Sequence, residues 1–204
     1  MSHFDSKARQ WDENPVFQER GRKMAAAIAA AVPLASDWRA LDYGSGTGLL
    51  SFPLQPSLAH ITLADSSAGM LEVLHEKIAA QKVGNMTALK LDLLTDPLPA
   101  QRFDLIYSAM ALHHIPDTDA ILRIFGALLN PGGWLCLIDL DQEDGSFHGI
   151  EFEVHHGFDR AQLARQAHAA GLGEAVFSTV FSIRKEKAAG PRDYPVFLMA
   201  AQKR

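Results

Sequence analysis

The sequence predicts a doubly wound α/β fold: a mostly parallel sheet of seven strands, an antiparallel last strand and helices on both faces. Three observations carry that expectation. Short apolar runs alternate with segments of helical period along the chain, the pattern of a parallel sheet covered on both faces. The first apolar run ends in Asp42 and then places glycines at 44, 46 and 48, a turn of the Rossmann-like kind where backbone meets ligand. The last two runs are joined by the polar, Gly-Pro-containing Arg184–Asp193. With no room for a crossover helix, that link makes a hairpin.

The elements follow in order. Met24 to Ala35 is a small apolar stretch preceded by Arg20, Arg22 and Lys23. It is too short to span a bilayer and an acidic, aromatic segment precedes it, so it reads as an amphipathic or buried helix rather than a leader. Strands are expected at Ala40–Tyr43, His60–Ala64, Thr87–Leu91, Phe103–Ser108, Trp134–Leu140, Ala175–Ile183 and Tyr194–Ala201. Helices are expected near Ala68–Gln81, Thr118–Leu129 and Arg160–Ala170. Asn130-Pro131 after the second of these suggests a left-handed helix end followed by a stop, and Gly171-Leu172-Gly173 ends the third in the same way. No repeat or Ser/Pro-rich linker interrupts the sequence, which therefore reads as one domain over 1–204. Its parts are an N-terminal lid and helix (1–36), a ligand-binding core (37–140), an insertion (141–160) and a last helix with the C-terminal hairpin (161–204).

With 204 residues and 22.3 kDa, the chain can bury a substantial core. A net charge of −5 gives no general attraction to phosphate backbones, so neither nucleic acid nor membrane is expected as a partner. The single cysteine, Cys136, allows no intrachain disulfide and no cysteine metal cluster. A cytoplasmic monomer or homodimer acting on a small molecule is the expectation, with no metal ligand set.

In an open α/β sheet, ligands sit beyond the carboxyl ends of the strands. Those ends carry Asp42 with the glycine loop, Asp65-Ser66-Ser67, Asp92-Leu93, and Ser108-Ala109-Met110. Asp65 lies 21 positions after Gly44, where a carboxylate can accept from both hydroxyls of a ribose. A capping or turn role is the alternative for each of these acids. A dinucleotide fingerprint, G-x-G-x-x-G, would need a glycine at Leu49.

Taken together, these motifs resemble a class I S-adenosylmethionine-dependent methyltransferase of the small UbiE-like type. The resemblance rests on Leu41-Asp42-Tyr43-Gly44-Ser45-Gly46-Thr47-Gly48, Ala64 through Leu71, Leu91-Asp92, Phe103 through Ile115, and Leu129 through Trp134. It implies S-adenosylmethionine as cofactor and S-adenosylhomocysteine as product. By that resemblance Gly44, Ser45, Gly46 and Gly48 line the methionine part, with Asp42 near its ammonium group. Asp65 holds the ribose, Ser66 and Met70 flank the adenine, and Asp92 meets the adenine amino group with the Leu93 N–H beside it. Ser108 approaches the sulfonium, and Trp11, in the stretch Phe4–Asp12, belongs to a lid. The implied activity is in-line methyl transfer to a small acceptor at oxygen, nitrogen or carbon, aromatic or quinone-like. A non-catalytic S-adenosylmethionine-binding or assembly protein and a nicotinamide-dependent oxidoreductase are the alternatives.

Nine histidines include the pairs His113-His114 and His155-His156. Neutral imidazole suits a general base, so His113, His155 and His156 are the catalytic candidates on the acceptor side. A metal site built from the two pairs and a loop-shaping role for His113-His114 are the alternatives. Asp144–Asp159 gathers Phe147, His148, Phe152, His155, His156 and Phe158 and is where an acceptor pocket is expected.

Overall fold

The computed structural model describes residues 8–148, 155–187 and 190–204. Its sheet has seven strands: β1 (Arg39–Tyr43), β2 (His60–Asp65), β3 (Met86–Lys90), β4 (Phe103–Ala109), β5 (Leu129–Leu140), β6 (Leu172–Lys185) and β7 (Arg192–Lys203). Their spatial order is β3-β2-β1-β4-β5-β7-β6. β1 pairs in parallel with both β2 and β4, β2 with β3, and β4 with β5. β7 is antiparallel to β5 and β6. The fold is the doubly wound one expected, and the strand order reverses between β1 and β4. Lys185 pairs with Arg192, which closes the terminal hairpin where the polar link predicted it.

Helices α2 (Pro15–Ala31), α3 (Ser51–Leu54) and α4 (Ala68–Ala80) cover one face, and α5 (Thr118–Leu128) and α6 (Arg160–Ala169) the other. Strand side chains alternate between the two cores, as the period of two demands. On β4, Leu105 and Tyr107 join the α2–α4 side and Ile106 the α5–α6 side; Phe103, which lies before a register shift at 103/105, also joins the α5–α6 side. On β7, Val196, Leu198 and Ala200 go one way, Phe197, Met199 and Ala201 the other. Such a sheet leaves only its strand ends for chemistry.

Local chemistry explains the helix bounds. Asn14 caps α2 by accepting from the Val16 N–H, and Pro15 stands at the first turn, where its missing N–H costs nothing. Ser67, Asp117 and Asp159 cap α4, α5 and α6. The structure departs from expectation in three places. A helix not expected from the sequence, α3, follows the glycine loop and is only four residues long, because Pro56 just beyond it lacks the N–H that would continue it. A short helix α1 (Ala8–Glu13) precedes α2, which itself starts well before Met24. The residue after α5 is extended, and it is Gly132, with φ 77°, that takes the left-handed turn expected of Asn130. Asn130 instead donates from its amide to Asp104 at 2.7 Å.

Gly126 in α5 marks a close approach to the end of α6: a Cβ there would lie 2.4 Å from the carbonyl oxygen of Ala170. We expect Gly126→Ala to destabilise the protein by about 1–3 kcal/mol, because backbone cannot yield as a flexible side chain does. Urea unfolding monitored by far-UV circular dichroism checks this; wild-type stability would show that the helices part freely.

Candidate active site

The site gathers at the carboxyl ends of β1, β2, β4 and β5, on both sides of the strand-order reversal. Gly44, Gly46 and Gly48 all have positive φ, at 72°, 52° and 78°, a conformation costly for any residue with Cβ. Their steric reasons differ. A Cβ on Gly44 would lie 2.5 Å from that of Ala111, and one on Gly48 2.8 Å from Leu74 Cδ1. Around Gly46 the nearest atom is Met70 Sδ at 3.9 Å. The first and third glycines thus seat the loop on the protein, whereas the middle one meets only Met70, at van der Waals distance. Gly21 of α2, unremarked in the sequence, serves the same packing: its Cβ would meet the Leu49 carbonyl oxygen at 2.6 Å.

The loop is held by β2. The Gly44 and Ser45 N–H groups donate to the Ala64 carbonyl at 2.8 and 3.0 Å. Asp65 accepts from the Gly46 N–H at 2.7 Å and from the Ser67 N–H at 2.8 Å. Ser67 accepts from the Met70 N–H, which brings Met70 under the loop, while Ser66 is exposed beside it. Three buried hydroxyls here, Ser45 Oγ, Thr47 Oγ1 and Ser108 Oγ, have no hydrogen-bond partner among the described residues. A buried unpaired hydroxyl costs about 1–3 kcal/mol, so each of the three would gain from a polar partner.

Asp42 faces the α2–α4 core and is 2% exposed. Ser51 donates to it at 2.6 Å, and the Ser51 and Tyr107 hydroxyls are 2.5 Å apart. Burial, and secondarily the charge of Asp65, push the Asp42 carboxyl up to about 7 against the Ser51 hydrogen bond. Tyr43 points to the opposite core. Its hydroxyl accepts from the Leu93 N–H at 3.2 Å and lies 3.4 Å from Asp92 Oδ1. The Leu93 N–H assigned above to an adenine is therefore engaged by Tyr43, and Asp92 also accepts from the Leu94 N–H. Ser51, Tyr107 and Tyr43 were not singled out from sequence; their positions after or within apolar strands carried no chemical signal.

At the N-terminus, Trp11 lies in α1 and stacks on Phe17 with ring centres 4.3 Å apart. Lys77 of α4 donates to Asp12 at 2.7 Å and to the Thr47 carbonyl at 2.8 Å, so one ammonium ties α1 to the glycine loop. Ala8 packs with Met70 and Val73. Phe4 to Lys7 of the expected lid lie outside the described residues.

On the other side of Ser108, β4 turns at Met110, φ 54°, into a single 3-10 turn, Leu112–His114. His113 is buried, and its Nδ1 lies 2.6 Å from Asp139 Oδ1. Asp139, at the end of β5, also accepts from the backbone N–H groups of His113 at 3.2 Å and Leu140 at 2.7 Å. His113 Nε2 lies 3.0 Å from His148 Nε2, and the His114 ring centre is 4.1 Å from that of His113. Burial first pushes both His114 and His148 down to about 4; the other two rings add to this at His114, and His113 with the charges of Lys185 and Lys187 at His148. Asp139 was missed, although a lone carboxylate in the apolar run Leu135–Leu140 needs a buried partner and so carried a signal.

The second histidine pair is placed differently. His155 donates its backbone N–H to the His113 carbonyl at 2.8 Å, and its Nε2 lies 2.9 Å from the Ile115 carbonyl and 3.4 Å from Thr118 Oγ1. It clamps the insertion to the turn. His156 is exposed and packs over Gly145. Neither ring is among those gathered at His113. Phe147 is buried against His148 and Tyr194, while Phe152 lies outside the described residues.

Comparison with known proteins follows this geometry. Residues 16–173 match the model of the family described as methyltransferase domain. An uncharacterised methyltransferase of Mycobacterium tuberculosis is 35% identical over 113 residues, 55% of each chain. The ubiquinone biosynthesis O-methyltransferase of Bordetella avium is 27% identical over 192 residues, 81% of this chain and 76% of its own. The methyltransferase solved in complex with the Trm112 activator of Haloferax volcanii superposes with a TM-score of 0.79 at 17% identity, covering 99% of this chain and 98% of its own. That last likeness is one of fold. The chain spans about half the length of the mycobacterial relatives it matches.

The Asp42 environment makes a stability prediction. A carboxyl raised from 3.8 to about 7 on folding stabilises the fold fully below pH 3.8, and that contribution is lost as pH rises to about 7. Asp42→Asn, which cannot titrate, should flatten this part of the profile. Urea unfolding of both proteins between pH 4 and 8 measures it; parallel profiles would place the Asp42 carboxyl at its ordinary value.

Proposed function

The chain belongs to the methyltransferase-domain family, and on that premise we propose that it transfers the methyl group of S-adenosylmethionine to a small acceptor held beside His113. The observation that carries this reading is the uncrowded backbone at Gly46 next to Asp65 and the unpaired buried hydroxyls of Ser45, Thr47 and Ser108. The donor set suits the cofactor's parts. Hydroxyls and loop N–H groups suit a carboxylate, Asp42 an ammonium, and Asp65 a pair of ribose hydroxyls. When bound, S-adenosylmethionine supplies an electrophilic methyl group on a positive sulfur.

The residues then divide the work. Asp65 exchanges its bond to the Gly46 N–H for ribose hydroxyls, which frees that N–H to donate to the ligand. Ser66, Met70 and Asp92 border the adenine. Tyr43, by taking the Leu93 N–H, fixes the Asp92 turn rather than leaving it to the ligand. Trp11 and α1, tied to the loop by Lys77, exclude water above it. Ser108 faces the reacting end, and beyond it Asp139 holds His113, whose outer nitrogen faces His148. Displacement at a methyl group needs mainly an acceptor atom in line and water kept out. The Bordetella relative named for ubiquinone biosynthesis favours an oxygen on an aromatic or quinone-like ring as acceptor atom.

Calorimetric titration with S-adenosylhomocysteine, and with NADH as control, tests the reading. We expect wild type to bind the sulfur ligand and not NADH. Asp65→Ala should weaken that binding by about 100-fold, the loss of two charge-assisted hydrogen bonds, with circular dichroism unchanged. NADH binding alone would overturn the cofactor assignment.

Deletion of residues 1–14 should weaken S-adenosylhomocysteine binding while leaving the cooperative unfolding transition in place, since the deleted stretch adds only Ala8 to the described cores. Unchanged affinity would remove the lid role.

A further inference from the structure

We propose that His113, His114 and His148 form a binding site for a divalent transition-metal ion of the zinc class, with one coordination position open towards the acceptor. One ligand-capable nitrogen from each of the three rings lies within 4.8 Å of the other two. Tetrahedral zinc with nitrogen at about 2.0–2.1 Å requires donors spaced on the order of 3.3 Å. The 3.0 Å between the Nε2 atoms of His113 and His148 already approaches that spacing.

The tautomer of His113 follows from Asp139. That carboxylate accepts from two backbone N–H groups and faces His113 Nδ1 at 2.6 Å. An acceptor so placed requires Nδ1 to carry the proton, which leaves a lone pair on Nε2, aimed at the other two rings. A carboxylate behind a histidine whose far nitrogen points into a cluster of imidazoles is the arrangement that orients metal ligands in zinc proteins. Two imidazole Nε2 atoms at 3.0 Å must share either a proton or a cation between them. The third ring, His114, and the closed, buried setting of His113 favour the cation. Three nitrogen ligands among the described residues leave a tetrahedral ion a fourth position, as in catalytic rather than structural sites.

The role of that position rests on the methyltransferase reading; the metal site itself does not. A hydroxyl on the ion becomes more acidic and gives its proton to water. Its oxygen lone pair then forms the new bond to the methyl carbon, while the electrons of the carbon–sulfur bond leave with sulfur as a neutral thioether. The ion thus takes the place of a general base at His113.

The test uses tag-free full-length protein stripped with chelator and titrated with cobalt(II), read by the visible absorption of tetrahedral cobalt, then with zinc by competition. We expect one ion per chain. His114→Ala and His148→Ala, both at partly exposed positions, should abolish the cobalt spectrum, and Asp139→Asn should weaken affinity about 10- to 100-fold. His75→Ala, an exposed histidine on α4, should bind as wild type. No stoichiometric ion in wild type, or a spectrum that survives both histidine variants with native circular dichroism, overturns the site. Titration with S-adenosylhomocysteine in parallel separates the two readings. Its binding without any metal ion leaves the methyltransferase and removes the metal; metal without its binding does the reverse.

Discussion

The geometry of the site depends on one carboxylate. Asp65 closes β2 and bonds the N–H of Gly46 on one side and that of Ser67 on the other. The first bond, with the two to the Ala64 carbonyl, holds a loop whose three glycines sit in the left-handed region and would otherwise wander. The second places Ser67 as the cap of α4 and so sets Met70 beneath Gly46. Loop, helix start and strand end are thereby one unit, and a ligand that engages Asp65 engages all three. Charge-assisted bonds to backbone N–H are among the stronger local ones, which is why a single side chain can fix this much.

Much of the fold was legible because it depends on patterns that a sequence shows directly. Apolar runs of strand length and a polar link without helix length place all seven strands, although β5 begins at Leu129, before the expected Trp134, and α2 at Pro15, before Met24. The departures have local causes. Pro56 stops α3, a matter of a missing donor rather than of periodicity. Gly132 rather than Asn130 takes the turn because glycine has no Cβ to strain, and Asn130 finds a better use in Asp104. Helix α1 is six residues long, and it is held by tertiary partners, Arg9 to Glu76 and Asp12 to Lys77, not by its own propensity.

The candidate site was legible at strand ends and illegible across the sheet. Asp42, Asp65, Asp92 and Ser108 announce themselves by following apolar runs. Their partners do not, since Ser51, Tyr107 and Tyr43 acquire meaning only when parity sends neighbouring side chains to opposite cores. Asp42 meets Ser51 and Tyr107 on one face; Tyr43, the next residue, meets Leu93 on the other. The histidines show the same limit. Adjacency in sequence suggested the pairs 113–114 and 155–156, whereas folding joins 113 and 114 with 148 and turns 155 to the Ile115 carbonyl.

The account stands on the loop between β1 and α3 being the seat of the cofactor. A crystal structure with S-adenosylhomocysteine tests it directly. The account predicts the ribose on Asp65, the amino-acid part along Gly44–Gly48 and the sulfur near Ser108, on the side facing His113. Ligand bound elsewhere, with the Asp65 bond to Gly46 intact, would contradict it.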